Sequence, residues 1–309
     1  MVELQTALGP TLLAFAFVWG TLWGSFLNVV IYRLPLELSV VHPGSRCGAC
    51  GTPIRWYDNV PIVSFLLLRG RCRACGARYS PRYMLVEAAC GVLSLAIFRA
   101  VVDLGSPEDL PWDLGWWLAW QWFAYTLVAI AFIDLEHTIV PLELTVPASV
   151  LGAVVAFAFP NGLAFEAVYG MGVGAGFLLL IVGLGWLIFR REAMGMGDVH
   201  ILGMTGLWLG WRALPFVVLA SSLQALLAVL IARVYGAVTG RGQSLTMTTE
   251  QLDQRFDEVT ENAGLPSHTV IPYGPFLALS ALEAMLFGTE AFWWLMDRVF
   301  LSLLGAQAP

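Results

Sequence analysis

Two acids stand in apolar surroundings. Asp134 ends the run AYTLVAIAFID, and Asp198 follows paired glycines in GMGDVHILG. Ionisable groups in membrane segments are costly and usually mark function. Two neighbouring carboxylates cannot both ionise easily. One keeps a proton, the other takes one from a shared water, and that water attacks a peptide carbonyl. Such a dyad titrates as a unit. Gly195 and Gly197 would let an extended substrate backbone approach Asp198 without a side chain in the way. Paired intramembrane acids also suit a proton or cation pathway, so an ion-coupled transporter is the alternative. Each acid has a structural reading too. Asp198 can be a helix N-cap, and Asp134 can end a helix, although a carboxylate there is electrostatically disfavoured. On these residues alone the three readings stay open. Glu136, His137 and Glu143 match no metal-site spacing and read as a solvated loop. Glu87 reaches the membrane interface, where an Arg partner is expected.

A second group consists of cysteines. CGAC at 47–50 and CRAC at 72–75 form two CxxC pairs twenty-one residues apart. Cys47, Cys50, Cys72 and Cys75 can surround one structural zinc ion tetrahedrally. Two disulfides are the rival reading, disfavoured if the loop lies in a reducing compartment. A redox pair is a third, but no thioredoxin-like pattern surrounds either motif. Cys90 reads as a buried packing residue.

The elements that must position these groups are membrane helices. The chain has 309 residues, a mean hydropathy of +0.75 and 12% charged residues, where a soluble domain has about a quarter. Spanning helices need roughly 17 to 25 apolar residues. Eight segments qualify, at about 8–31, 83–102, 115–133, 144–160, 169–189, 199–211, 214–238 and 271–288, the sixth being short and glycine-rich. The first lacks a basic flank and is too long for a cleavable signal, so it is expected to stay as a helix. The glycines at 170, 172, 174 and 176 predict close packing of the fifth segment on a neighbour.

All sixteen basic residues are Arg, and eight of them lie in 32–82, whereas 103–114 is acidic. Positive-inside bias places 32–82 in the cytoplasm, and alternation then puts Asp134 and Asp198 at cytoplasmic helix ends. The expected fold is an all-α polytopic membrane protein of about eight transmembrane helices. Its parts are a first helix at 1–31, a cytoplasmic zinc-binding loop domain at 32–82, and a transmembrane domain at 83–309. A cytoplasmic insertion at 240–270 interrupts the last part. Within it, Thr248 and Gln251 have capping-box spacing ahead of an amphipathic helix.

Seven stretches together carry a resemblance: GSFLNVVIYRLP at 24–35, the paired CxxC motifs, WYDNVPIVSFLLLRGRC at 56–72, RYMLVEAACG at 82–91, IDLEHTIVP at 133–141, GMGDVHILG at 195–203 and IPYGPFLAL at 271–279. In this order they resemble the bifunctional prepilin peptidases, or type IV leader peptidases. The resemblance implies a membrane aspartic endopeptidase of the bacterial inner membrane. Its aspartates, here Asp134 and Asp198, cut the leader from type IV prepilins or pseudopilins. The new N-terminal residue is then methylated with S-adenosylmethionine. The first loop is implied to serve methylation, with Gly70 and Asp58 at matching positions. Implied partners are these pilins and membrane lipid, without nucleic acid. Two positions depart from the family pattern: Leu142 follows Pro141 where an acid is common, and His200 replaces a lysine.

Overall fold

The computed structural model describes residues 2–104, 106, 108–158, 163–190, 195–239 and 272–303. Among them every named element is helical. The helices are α1 (Val2–Arg33), α2 (Val63–Leu67), α3 (Arg82–Val101), α4 (Leu110–His137), α5 (Leu142–Ala158), α6 (Leu163–Phe189), α7 (Met196–Leu209), α8 (Leu214–Thr239), α9 (Gly274–Phe287) and α10 (Glu290–Leu303). The insertion at 240–270, with its expected amphipathic helix, lies outside the described residues.

Each of the eight apolar segments contains a helix, but the helices are not alike. Five are long and apolar enough to cross a membrane, lying within Gly9–Leu36, Arg82–Val101, Leu110–His137, Ala164–Ile188 and Trp211–Tyr235. α9 and α10 meet at 97° and qualify only as a bent pair. α7 and α9 have 14 residues each, about 21 Å at 1.5 Å per residue. That falls short of the roughly 30 Å of hydrocarbon. α10 begins just past the last expected segment and was not anticipated. Gly288, at φ +69°, turns the chain between the two.

α4 is the axis of the fold. About 67% of its apolar stretch is buried, against 17% for α6 and α8. One side, with Phe123, Leu127 and Ile130, packs into a cluster with Ile201, Leu202, Val217 and Leu277. The other, with Trp117, Tyr125 and Ile133, packs with Ile31, Val86 and Phe98 of α1 and α3. A helix apolar on every side belongs in such a centre. α6 and α8 therefore present their outer faces to lipid.

The expected close approach of the fifth segment is to α7. A Cβ built on Gly170 would lie 2.1 Å from the Gly206 carbonyl oxygen, and one on Gly206 would lie 2.2 Å from that of Gly170. The α7 indole of Trp208 also donates to the Ala148 carbonyl of α5 at 2.9 Å. These contacts fix where α7 begins, and so where Asp198 sits.

Candidate active site

Asp134 lies in the last turn of α4 and Asp198 in the first turn of α7. Both are buried, at 6% and 9% exposure, and they are close enough for their charges to interact. Asp198 is not an N-cap. That position belongs to Gly195, and Asp198 is the third residue of the helix. A carboxylate in a first turn meets the positive end of the helix dipole.

Asp134 resolves its unfavourable helix end in another way. The backbone N–H of Gly274 donates to it, and Gly274 is the first residue of α9. Asp134 thus occupies the anion-binding end of a different helix. A Cβ at position 274 would lie 2.6 Å from Asp134 Oδ2 and 3.2 Å from Ile201 Cδ1, so the backbone of α9 fits between α4 and α7. Its entry is tied to α8 through the Tyr273 hydroxyl, 2.6 Å from Ser221 Oγ.

The glycines flanking Asp198 differ in environment. A Cβ on Gly197 would come within 2.5 Å of Val140 Cγ2, so this glycine lets α7 close onto the segment that follows Asp134. Gly195 is exposed, and the nearest atom to a Cβ there is 4.0 Å away. The open approach to Asp198 is on the Gly195 side. His200 is exposed.

Glu136 pairs with Arg82 of α3. With His137 and Glu143 it gathers no metal set: among the described residues, the cysteines alone do so. Glu87 takes a different partner from the one expected. One of its carboxylate oxygens accepts the Ile62 N–H at 2.7 Å. A backbone donor in the cysteine loop replaces the expected arginine.

The four thiols converge. Their Sγ atoms all lie within 4.8 Å of one another, with Cys47 and Cys75 3.8 Å apart. A tetrahedral ion with metal–sulfur bonds of about 2.3 Å needs sulfurs about 3.8 Å apart. The two CxxC turns are built alike. Gly51 N–H donates to the Cys47 carbonyl and Gly76 N–H to that of Cys72, with φ at +70° and +71°. The N–H groups of Cys75 and Ala74 bring the Cys72 thiol pKa down to about 6, while the neighbouring thiols push that of Cys75 up to about 11, so Cys72 is the first of the two to become a thiolate. All five cysteines are free.

Asp58 makes a two-pronged ion pair with Arg73, whose guanidinium holds its carboxyl below the usual range. Gly70 is buried at φ +63°, and a Cβ there would lie 2.9 Å from the Phe65 ring. Both residues thus shape the loop. In the sequence, Gly274 is one residue of IPYGPFLAL with no role of its own. No periodicity could reveal that its N–H meets an acid 140 residues earlier in the chain.

The sequence model of the bacterial peptidase A24 N-terminal domain matches residues 18–101. That of the type IV leader peptidase family matches 114–230. A prepilin leader peptidase/N-methyltransferase of Myxococcus xanthus is 39% identical over 318 residues, covering 91% of each chain. Proteins of the same name from Stutzerimonas stutzeri and Aeromonas hydrophila are 35% and 32% identical. They cover 89% and 96% of this chain, and 90% and 98% of their own. No solved structure matches. With similarity running through helices, cysteine loop and both acids alike, the chain belongs to the type IV leader peptidase family.

Proposed function

We propose that this protein is a membrane aspartic endopeptidase and N-methyltransferase. It removes the leader of type IV prepilins or pseudopilins and methylates the amine so released. The observation that carries the peptidase half is the buried pairing of Asp134 with Asp198, each carboxylate set at the N-terminal end of a helix. The pair holds one proton between its members. The ionised member takes a proton from water, the resulting hydroxide adds to the scissile carbonyl, and the other member protonates the leaving amine. Gly274 N–H and the first turn of α7 steady the negative charge throughout.

The loop at 32–82 and both acids face the cytoplasm of a bacterial inner membrane, the orientation that the arginine bias favours. In this arrangement α5, α7 and α9 are the short members that, with the five long helices, make up eight. A substrate helix must unwind near Gly195 to offer its backbone, because a helical peptide bond is shielded by its own hydrogen bonds.

Cys47, Cys50, Cys72 and Cys75 would hold one zinc ion, which would supply structure to the loop. The methyl donor would be S-adenosylmethionine, as the N-methyltransferase name of the relatives suggests.

Purified protein in proteoliposomes tests the dyad. Asp134→Asn and Asp198→Asn should each abolish cleavage of a prepilin. Turnover near that of the wild type in either variant would remove the assignment. Transfer of a labelled methyl group to the cleaved product tests the second activity separately.

A further inference from the structure

A cavity of about 740 Å³ opens between the C-terminal end of α1, the start of α3 and the cysteine loop, and neither Asp134 nor Asp198 lines it. One face of α1 forms a wall, with Ser25, Asn28, Val29, Tyr32 and Arg33 at helical spacing. Tyr83 and Glu87 of α3 form another. The volume falls within the roughly 300–1,000 Å³ of small-molecule sites.

Asn28 carries the argument. It is 3% exposed, and its amide NH₂ is occupied by the carbonyls of Gly24 and Tyr83 at 3.2 and 3.0 Å. Its Oδ1 is buried with no partner. Buried acceptors are nearly always satisfied in native proteins, so Oδ1 is the wall atom suited to accept an N–H from a bound molecule. The other walls narrow its class. Glu87 is a buried acid, and Arg33 and Arg78 bring positive charge. Tyr32, Phe65 and Tyr79 add aromatic surface. Walls of both signs suit a zwitterion with an aromatic group.

We propose that this cavity binds S-adenosylmethionine, with Asn28 Oδ1 accepting one of its N–H groups. Its purine, ammonium, sulfonium and carboxylate match the aromatic, acidic and basic walls in turn. The proposal rests on the methyltransferase reading and gives it a location. The place is apt. Tyr83 lines the cavity while its neighbour Arg82 pairs with Glu136, two residues beyond Asp134. The first turn of α3 therefore runs from the cavity wall to the end of the helix that carries Asp134. In the cavity the lone pair of the freed amine forms the N–CH₃ bond as the S–CH₃ bond breaks. Sulfur keeps that bond's electrons as a neutral thioether, and one amine proton passes to water.

The test is calorimetric titration of the full-length protein in nanodiscs with S-adenosylmethionine, and with S-adenosylhomocysteine as the unreactive probe. The wild type should bind both saturably. Asn28→Leu, which removes the acceptor, should weaken binding at least tenfold. Asn28 also ties α1 to α3, so thermal unfolding of the unliganded variant checks its integrity. Leu38→Trp provides the second arm: Leu38 is exposed and lines the cavity, and a larger ring there should also cost at least tenfold. Wild-type affinity in either folded variant overturns the location while leaving methyl transfer intact. A wild type that neither binds nor transfers methyl overturns the methyltransferase reading, and this proposal with it.

Discussion

Arg82, in the first turn of α3, pairs with Glu136, two residues beyond Asp134 in α4. The arginine side chain is 15% exposed and the carboxylate 39%. This contact joins the base of the cysteine loop to the end of the helix that carries Asp134. Exposed pairs contribute about 0–1 kcal/mol, so the expected effect on global stability is small. The effect on position should be larger. Arg82→Gln and Glu136→Gln should each lower prepilin cleavage severalfold, and the double variant should be little worse than either single one. Rates that multiply across the two changes would show that the residues act independently.

Gly274 offers a sharper test of positioning. Gly274→Ala puts a Cβ where Asp134 Oδ2 now sits 2.6 Å away, so the carboxylate must move. A displacement near 1 Å can cost about a hundredfold in rate. Cleavage by Gly274→Ala should fall by at least about that factor, with KM little changed, because the substrate-binding surface is left as it was. Turnover within a few fold of wild type would remove Gly274 from the site.

Gly206 supports Asp198 at one remove. It meets the Gly170 backbone, where even a methyl group has no space. Overpacking costs about 1–3 kcal/mol or more when backbone must shift. Gly206→Val should lower the unfolding temperature in detergent and reduce cleavage together. Gly172→Ala on the same stretch of α6, where a Cβ meets nothing within 4 Å, should do neither. Equal effects from the two would deny a special role to the α6–α7 contact.

Much of this architecture was legible in the sequence because hydropathy reports helices directly. The acids were conspicuous because membrane helices seldom carry such groups, and the CxxC pairs because their spacing is that of a metal site. Helix length was less legible. α7 begins at Met196, three residues before the apolar run that announced it, and α10 follows a glycine turn that hydropathy alone reads as an end. Pairings between distant backbone and side chain were hidden altogether. Nothing in IPYGPFLAL or RYMLVEAACG announces that Gly274 faces Asp134 or that Glu87 takes the N–H of Ile62. Geometry alone also leaves paired acids compatible with ion movement. Similarity along the whole chain favours the peptidase.

The loop at 32–82 is the part most dependent on something outside the polypeptide. Between residues 32 and 81 the buried positions are Cys47, Ser64, Gly70 and Cys72, so the loop has no aliphatic core of its own. Its stability must come from what the thiolates hold and from its seat on α1 and α3. Metal analysis of the purified protein should find one zinc per chain, and a result of none would sink the site. Stripping the ion with a strong chelator, or Cys72→Ser, should make the loop sensitive to protease and abolish methyl transfer. Cleavage should fall by less than about tenfold, because the packing of α4 against α7 and α9 does not pass through the loop. Equal loss of both activities would mean that the loop also builds the peptidase site, with Arg82 and Glu136 as the first contact to examine.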